Sequence, residues 1–314
     1  MKTLFKIKKT FITKLGIILG ISSTMFFGNN VMAAQAANII DVDAQMDKIS
    51  DFYFKSELKW KDVADFPGAY HYIRLDSKKT NMDLDLKTSN LKNLTYSDLN
   101  PEYIGENEFD NTNGVTEQTF TTAWYSHQVT NSASTSVTEG FKIGGKTTLF
   151  KLPILLTGGI DITAEFNSAT SKTNTVTDTK TLTASPQNIK VPAGKKYLVK
   201  VNMAKKTFNG DIDFRANGQN VKSTLNTLAT YYGPGFPRPD KCSSLTFTTA
   251  DIWEKLSANS QNQIKGVNFD SNKNLILNGK AHINGIFGST LSVSIYDITA
   301  SKKSPKLIQQ KNMG

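Results

Sequence analysis

Hydrophobic and polar positions alternate most regularly between Thr121 and Thr183. In the second of two runs there, Ile160, Ile162, Ala164 and Phe166 share one parity, and Asp161, Thr163, Glu165 and Asn167 the other. The first run is looser. Ala133, Thr135, Val137, Phe141 and Ile143 stand opposite Ser134, Ser136, Thr138 and Lys142, and Glu139 intrudes on the apolar parity. Alternation with period two gives a strand one apolar and one polar face. Between the runs lie Leu149-Phe150-Lys151-Leu152-Pro153-Ile154-Leu155-Leu156, bounded by Gly144-Gly145 and Gly158-Gly159. The pattern predicts a long hairpin with an apolar tip. Such a hairpin could pack on a sheet, serve as an adhesive edge, or enter a bilayer as part of an oligomeric β-barrel. A barrel strand crosses the hydrocarbon in about 9–11 residues, and residues 133–143 and 160–170 are each about that long. Ser and Thr, abundant here, sit as readily on a half-buried face as in water. Glu139 either weakens the pattern or marks a register shift.

The flanks predict other elements. Val42, Met46, Ile49 and Tyr53 follow one helix face, so a short packing helix is expected at the start. Phe52-Tyr53-Phe54, Trp60, Phe66, Tyr70 and Tyr72 then crowd aromatics into a stretch that is either the core of a small head or an exposed recognition patch. From Lys78 to Gly114 the chain is polar, with Asn81, Asn90, Asn93, Asn100-Pro101 and Asn111-Thr112-Asn113-Gly114 as breakers, and reads as turn-rich. Ser185 to Gly194 reads as a loop, Tyr197 to Met203 as a strand, and Tyr231 to Pro237 as an aromatic loop held by turns. Val267 to Thr299 alternates again, with Asn278-Gly279 and Asn284-Gly285 as hairpin-turn candidates. Asp270, Asn272 and Asn274 open like a calcium loop. Leu275 stands where that loop needs glycine and Ala281 where it needs an acid, so a turn is expected, not a site.

Composition narrows the function. The 314 residues allow two or three compact units. Residues 1–36 read as a secretory signal: Lys2, Lys6, Lys8, Lys9 and Lys14, an apolar stretch from Leu15 to Gly28, then cleavage after Ala33 or Ala36. The net charge of +10 loses five lysines with that segment and four more (Lys302, Lys303, Lys306, Lys311) with the last fourteen residues, leaving +1 for residues 37–300. A nucleic-acid partner would need its basic excess on the folded body, which excludes that class. Cys242 stands alone, so no internal disulfide forms, and a small buried apolar role is expected. His71, His127 and His282 have no metal-ligand spacing, and no nucleophile or phosphate-cradle motif occurs. No catalytic, metal or cofactor residue is therefore assigned, and the chain reads as no enzyme.

One further set of motifs points to a family. Phe150-Lys151-Leu152-Pro153, then Gly159 to Phe166, Thr173-Asn174-Thr175 and Ser185-Pro186-Gln187-Asn188-Ile189-Lys190-Val191-Pro192-Ala193-Gly194 resemble aerolysin-type β-pore-forming toxins, in the branch of clostridial epsilon toxin and the bacillary mosquitocidal toxins. Weaker similarity reaches Phe236-Pro237-Arg238 and Leu277-Asn278-Gly279-Lys280. The resemblance implies a mainly β, elongated aerolysin-like fold with long twisted antiparallel strands, a small α-containing N-terminal head and a C-terminal β-sandwich. It divides the chain into a head at 37–115 (with loop 225–240), a central module at 116–205 holding an insertion hairpin at 128–180, a sandwich region at 206–301 and a cleavable peptide at 302–314. It implies a secreted protein that binds a protein or glycan receptor on a target cell, is nicked by a protease, assembles into a homo-oligomeric ring (heptamers are usual in that family) and inserts one hairpin per subunit into the membrane. The mosquitocidal branch implies an insect target.

On that reading Val137, Phe141, Ile143, Phe150, Leu152, Ile154, Leu155, Leu156, Ile160, Ile162, Ala164 and Phe166 meet lipid, and Lys142, Asp161, Thr163 and Glu165 line the lumen, which favours cations. Lys151 at the tip could snorkel to headgroups. Tyr53, Tyr70, Tyr72, Tyr231 and Phe236 match receptor-contacting aromatics, with Trp60 added on composition. Lys302-Lys303 is the processing site; an ordinary frayed end is the bland alternative. A secreted β-sandwich adhesin or glycan-binding protein is the rival function, and a secreted hydrolase has only its compartment in its favour.

Overall fold

Residues 37–58, 70–144, 148–157, 159–232 and 241–313 are described by a computed structural model, and strands dominate it. Strand β1 (Asn38–Asp41) runs straight into helix α1 (Val42–Tyr53). Asp41 caps the helix, its carboxylate accepting from the Ala44 N–H at 3.1 Å. Val42, Met46, Ile49 and Tyr53 are all buried, as their spacing predicts. A π-helical turn, Phe54–Leu58, follows. Next come β2 (Tyr70–Asp98), β3 (Glu102–Asn111), β4 (Gln118–Thr121), β5 (Tyr125–Lys142), β6 (Leu149–Leu156) and β7 (Ile160–Asn167). The chain continues through β8 (Asn174–Ala184), β9 (Asn188–Val191) and the 38-residue β10 (Lys195–Tyr232). It closes with β11 (Lys241–Thr248), α2 (Thr249–Glu254), α3 (Ala258–Asn262), β12 (Asn268–Phe269), β13 (Leu275–Asp297) and β14 (Lys306–Met313).

Strand β10 is the axis of the main sheet. Along one side it pairs antiparallel with β3 and then β2, and along the other with β13 and then β11. The far side of β13 carries β14 opposite Leu291–Asp297 and β5 opposite Lys280–Ile286. Strand β5 in turn holds β8 antiparallel and β1 parallel. Two hydrophobic cores are strung along these shared strands. The larger gathers α1, α2 and the middle of β10 and β13 around Phe208, Phe214 and Phe287. The smaller lies between the start of β10, the end of β13 and the small β4–β9 sheet, with Phe109 stacked on Phe120 at 5.1 Å. That second core draws mostly on residues outside 206–301, where the β-sandwich region was expected. Its strands come from both halves of the chain, and the expected boundary at 205/206 falls inside β10, which continues unbroken.

Several sequence expectations change. Lys78–Asp98 belongs to one strand. Of its asparagines, Asn81 and Asn90 pair with Lys222 and Asp213, and Asn93 serves a bulge: it has a positive φ of 52° where the β2–β10 register shifts, a conformation Asn tolerates better than most residues. A turn remains at Asn111–Gly114, whereas at Asn100-Pro101 the chain only interrupts its pairing with β10 and runs on in the same direction from β2 into β3. Asn278-Gly279 and Asn284-Gly285 make no hairpins and lie in mid-β13. Their glycines are required by close approach. A Cβ at Gly279 would meet the Phe214 ring at 2.2 Å, and one at Gly285 would meet the Ser132 carbonyl at 2.1 Å. The Ser185–Gly194 loop contains β9. Cys242 is exposed, not buried, because most of β11 faces solvent. Asp270 does close a turn, its Oδ1 accepting from the Asn272 and Asn274 N–H groups at 2.9 and 2.8 Å. The tail is no frayed end, since β14 pairs with β13.

Candidate membrane-insertion hairpin

The segment between β5 and β8 departs most from the expected hairpin. The two alternating runs do not pair with each other. Strand β5 pairs with β8, from Tyr125↔Ala184 to Thr135↔Asn174, while β7 pairs with β6, from Leu149↔Asn167 to Leu156↔Ile160. The expected apolar tip is thus a strand in its own right. Strand β6 itself alternates: Phe150, Ile154 and Leu156 are buried and Leu152 half-buried, while Leu149, Lys151, Pro153 and Leu155 face outward, Leu155 at 69 % exposure. Pro153 is tolerated because β6 is an edge strand with β7 as its one partner among the described residues. Lys151 belongs to the polar face, where it pairs with Glu165 at 2.7 Å.

The inward face of β6–β7 docks through aromatic packing. Phe150 stacks on Phe166 at 5.3 Å, and the Phe214 ring of β10 lies 4.8 and 4.9 Å from those two. Phe141 closes the cluster at 5.8 Å from Phe214. Edge and tilted contacts of this kind favour aromatic pairs beyond their buried area. Among the described residues no ladder joins β6 or β7 to the main sheet. Hydrogen bonds to the body gather at the base instead: Phe141 N–H to the Ser168 carbonyl (3.0 Å), Ser168 Oγ–H to the Phe141 carbonyl (2.9 Å) and Asn174 Nδ2 to the Glu165 carbonyl (2.8 Å). Segment 38–43 pins the same corner. Asp41 pairs with Lys142 at 2.9 Å, and Asp43 accepts from the Gly144 N–H. The Lys142 ammonium and the Ala44 N–H hold the Asp41 carboxyl below its usual range, and Asp41 raises the Lys142 ammonium in return.

Strand β5 is woven into the body. Val129, Asn131, Ala133, Thr135 and Val137 point inward along it, and Phe141 is buried beyond them. Glu139 avoids burial through the register shift: one extra residue lies between the pairs Ala281↔Val137 and Lys280↔Glu139, and Glu139 pairs with Lys280 at 3.0 Å. Two inward polar atoms, Asn131 Nδ2 and Thr135 Oγ1, have no hydrogen-bond partner among the described residues although their residues are 0 % and 1 % exposed. On the outer face hydroxyls zip β5 to β8, as in Ser134–Thr175 at 2.8 Å and Thr130–Thr179 at 3.3 Å.

The other expected sites fare unevenly. Tyr53, expected at a receptor, is 5 % exposed and packs its edge on Phe247 at 5.2 Å, so its helical spacing served the core. The β2–β10 ladder brings Tyr70 opposite Tyr232, Tyr72 opposite Thr230 and Tyr231 opposite His71. Trp60, Phe236, Ala33 and Ala36 lie outside the described residues. Lys302 and Lys303 sit in an exposed turn before β14, and Lys302 pairs with Glu108 at 2.9 Å and Glu106 at 3.2 Å. Sequence reading passed over Phe214, although Phe208, Ile212, Phe214 and Ala216 alternate visibly. It also passed over Trp124, which is 60 % exposed. Among the described residues no helix is long and apolar enough to cross a membrane, and no cluster of His, Cys, Asp or Glu could hold a metal ion.

Comparison with known proteins places these features in context. The family model described as Clostridium epsilon toxin ETX/Bacillus mosquitocidal toxin MTX2 matches residues 72–309. No curated protein matches the chain. Among solved structures, the Mpp75Aa1.1 β-pore-forming protein of Brevibacillus laterosporus superposes with a TM-score of 0.57 at 19 % identity, covering 88 % of this chain and 95 % of its own. A non-toxic crystal protein of Bacillus thuringiensis superposes with a TM-score of 0.50 at 12 % identity, covering 88 % and 98 %. Both likenesses are of fold.

Proposed function

The chain belongs to the family of Clostridium epsilon toxin ETX and Bacillus mosquitocidal toxin MTX2, and on that premise we propose that it is a secreted toxin that opens pores in a target-cell membrane. The fold alone does not decide this, since it is shared with a non-toxic protein. The observation that carries the proposal is the β6–β7 hairpin: one face wholly apolar, docked on side chains and, among the described residues, tied to the body by backbone only at its base. An open hairpin in lipid leaves unpaired backbone groups that cost several kcal/mol each, so insertion requires a closed ring of subunits.

The proposed sequence begins with attachment to a cell-surface receptor through the end of the β2–β10 ladder that carries Tyr70, Tyr72 and Tyr231. A protease then cuts in the exposed turn at Lys302-Lys303. Loss of β14 uncovers the edge of β13 over Leu291–Asp297, and a bare strand edge is a template for a neighbouring subunit. Ring assembly brings the hairpins together, and they enter the bilayer as a barrel.

Dye release from liposomes, read beside SDS-resistant oligomers on a gel, tests the sequence. Trypsin-treated protein is expected to leak the vesicles and to form such oligomers, and a chain ending at Ala300 to do both without protease. A fully processed protein that binds membranes and releases no dye overturns the function. A truncated chain that still needs protease overturns only the role of the tail.

A further inference from the structure

Near the end of β10, where it runs between β2 and β11, three rows of partners cross the sheet: Arg74–Leu228–Cys242, Ser77–Asn226–Ser244 and Lys79–Thr224–Thr246. The alternate residues of β10, Ser223, Leu225, Thr227 and Ala229, are buried on the opposite face. The β2–β10 ladder breaks step in the middle of these rows. Asn226 pairs with Ser77 and Thr227 with Leu75, so Asp76 is an extra residue, and a bulge of this kind re-aims a side chain. Beside it lies an open depression of about 330 Å³, lined by Asp76, Asn226, Thr227, Cys242, Ser243 and Ser244. Asp76, Cys242 and Ser244 are exposed, and Asn226 is half-buried. The Asn226 amide is oriented by its Nδ2 donating to Ser77 Oγ at 2.8 Å, which leaves one N–H and the carbonyl oxygen for a ligand.

The chemistry of that lining narrows what it can hold. Its volume is at the small end of the roughly 300–1,000 Å³ of small-molecule sites, yet it lacks their usual aromatic and aliphatic walls. An ionised carboxylate only accepts, an amide donates and accepts, and a hydroxyl does either. Together these complement the neighbouring hydroxyls of one sugar ring. A phosphate or sulfate would meet the negative charge of Asp76. A calcium ion takes about 6–8 oxygen ligands, and a lone carboxylate does not supply the charge for it. Among the described residues no cluster of His, Cys, Asp or Glu could hold a metal.

We propose that this depression is a lectin site for the neutral terminal sugar of a cell-surface glycan. The Asp76 carboxylate accepts from two adjacent sugar hydroxyls, and Asn226 and Ser244 bond the next ones along the ring. The inference rests on the receptor step of the pore reading and gives the chemistry of the partner. It also extends the contact from Tyr70, Tyr72 and Tyr231 onto β11, since Tyr72 is two residues before Arg74 on β2. One such contact is weak. A ring presents one per subunit, so attachment tightens as subunits gather.

The intact protein, applied to immobilised glycans with neutral, sialylated or sulfated ends, tests the site. Retention is expected on neutral ends, with release by free hexose or N-acetylhexosamine. Asp76→Asn keeps the shape and removes the charge, and should weaken retention at least about tenfold. Arg74→Gln, in the next row, should change it by no more than about threefold. Cys242, the one cysteine of the chain, is a reporter that needs no substitution. A bulky maleimide on it should abolish retention, and the free sugar should slow the alkylation. Retention on sialylated or sulfated ends alone overturns the inference. So does a loss with Arg74→Gln but not with Asp76→Asn, or retention that survives full alkylation. Dye release from receptor-free liposomes keeps the two readings apart. Trypsin-treated Asp76→Asn should leak them like the parent, and a parent that is retained on neutral glycans but leaks nothing overturns the pore reading and leaves the lectin site standing.

Discussion

The two ribbons between Tyr125 and Ala184 are held by different forces. Strand β5 joins the main sheet through a backbone ladder with β13 and through β1, and β8 joins it through β5. Backbone hydrogen bonds are directional and must be replaced one for one when broken. The β6–β7 hairpin sits on Phe214 and its neighbours by apolar packing, with backbone ties only at its base. Packing of that kind is non-directional, and acyl chains can substitute for it. The lesson is that strength of alternation alone does not mark a mobile element. Both strands alternate, and among the described residues only β5 has a ladder to the main sheet.

The sharpest way to break this contrast is to remove the ring on which the hairpin rests. Phe214→Ala is expected to destabilise the soluble protein by about 3–5 kcal/mol, because Phe214 is buried and touches the rings of Phe141, Phe150 and Phe166. Limited proteolysis should then show new cuts in 144–168 before any in 125–137. Equal susceptibility of both ribbons would refute the difference in anchorage. A smaller change of opposite sign sharpens it. Thr135→Val replaces a buried hydroxyl that has no partner among the described residues with an apolar group of the same shape, and should stabilise by about 1 kcal/mol in chemical denaturation. Loss of stability instead would mean that the hydroxyl is bonded in solution.

The smallest effect concerns the corner where the two ribbons meet. Lys142 and the Ala44 N–H lower the Asp41 carboxyl from its ordinary 3.8, so the pair's contribution is present above pH 3.8 and fades as pH falls through the lowered folded value. Lys142 is raised from 10.5, so the same contribution is full below pH 10.5 and fades as pH rises through the raised value. Asp41→Asn keeps the helix cap and removes the charge. Its thermal midpoint should drop only slightly at neutral pH, as an exposed ion pair allows. Its loss of stability below pH 3.8 should be shallower than that of the parent. A midpoint and acid slope identical to the parent's would show that segment 38–43 does not pin the corner through this charge.

How far the chain could be read in advance varies by residue. The spacing of Val42, Met46, Ile49 and Tyr53 told of a buried helix, and the Tyr53 side chain went to the core that this spacing served and not to a receptor. Glu139, out of place on its parity, marked a real register shift. Asn278-Gly279 and Asn284-Gly285 misled, because a glycine demanded by a ring lying across it is indistinguishable along the chain from one that makes a turn. Asn81, Asn90 and Asn93 misled likewise, since such residues can also pair within a strand, as Asn81 and Asn90 do, or serve a bulge, as Asn93 does.

Periodicity of two and the run of matching motifs were enough to determine the class of fold, the family and the location of the segment with two-sided strands, because burial on one face is written locally in every other residue. Pairing is not local. Whether Ile160–Asn167 would meet Tyr125–Lys142 or Leu149–Leu156 depended on which ladder and which aromatic seat were offered by Phe214 and β13, more than forty residues further along the chain. Tertiary structure alone decided that the apolar tip is a strand, that Phe214 is its seat and that β14 closes a sheet edge, because each is a choice among long-range partners of similar local preference.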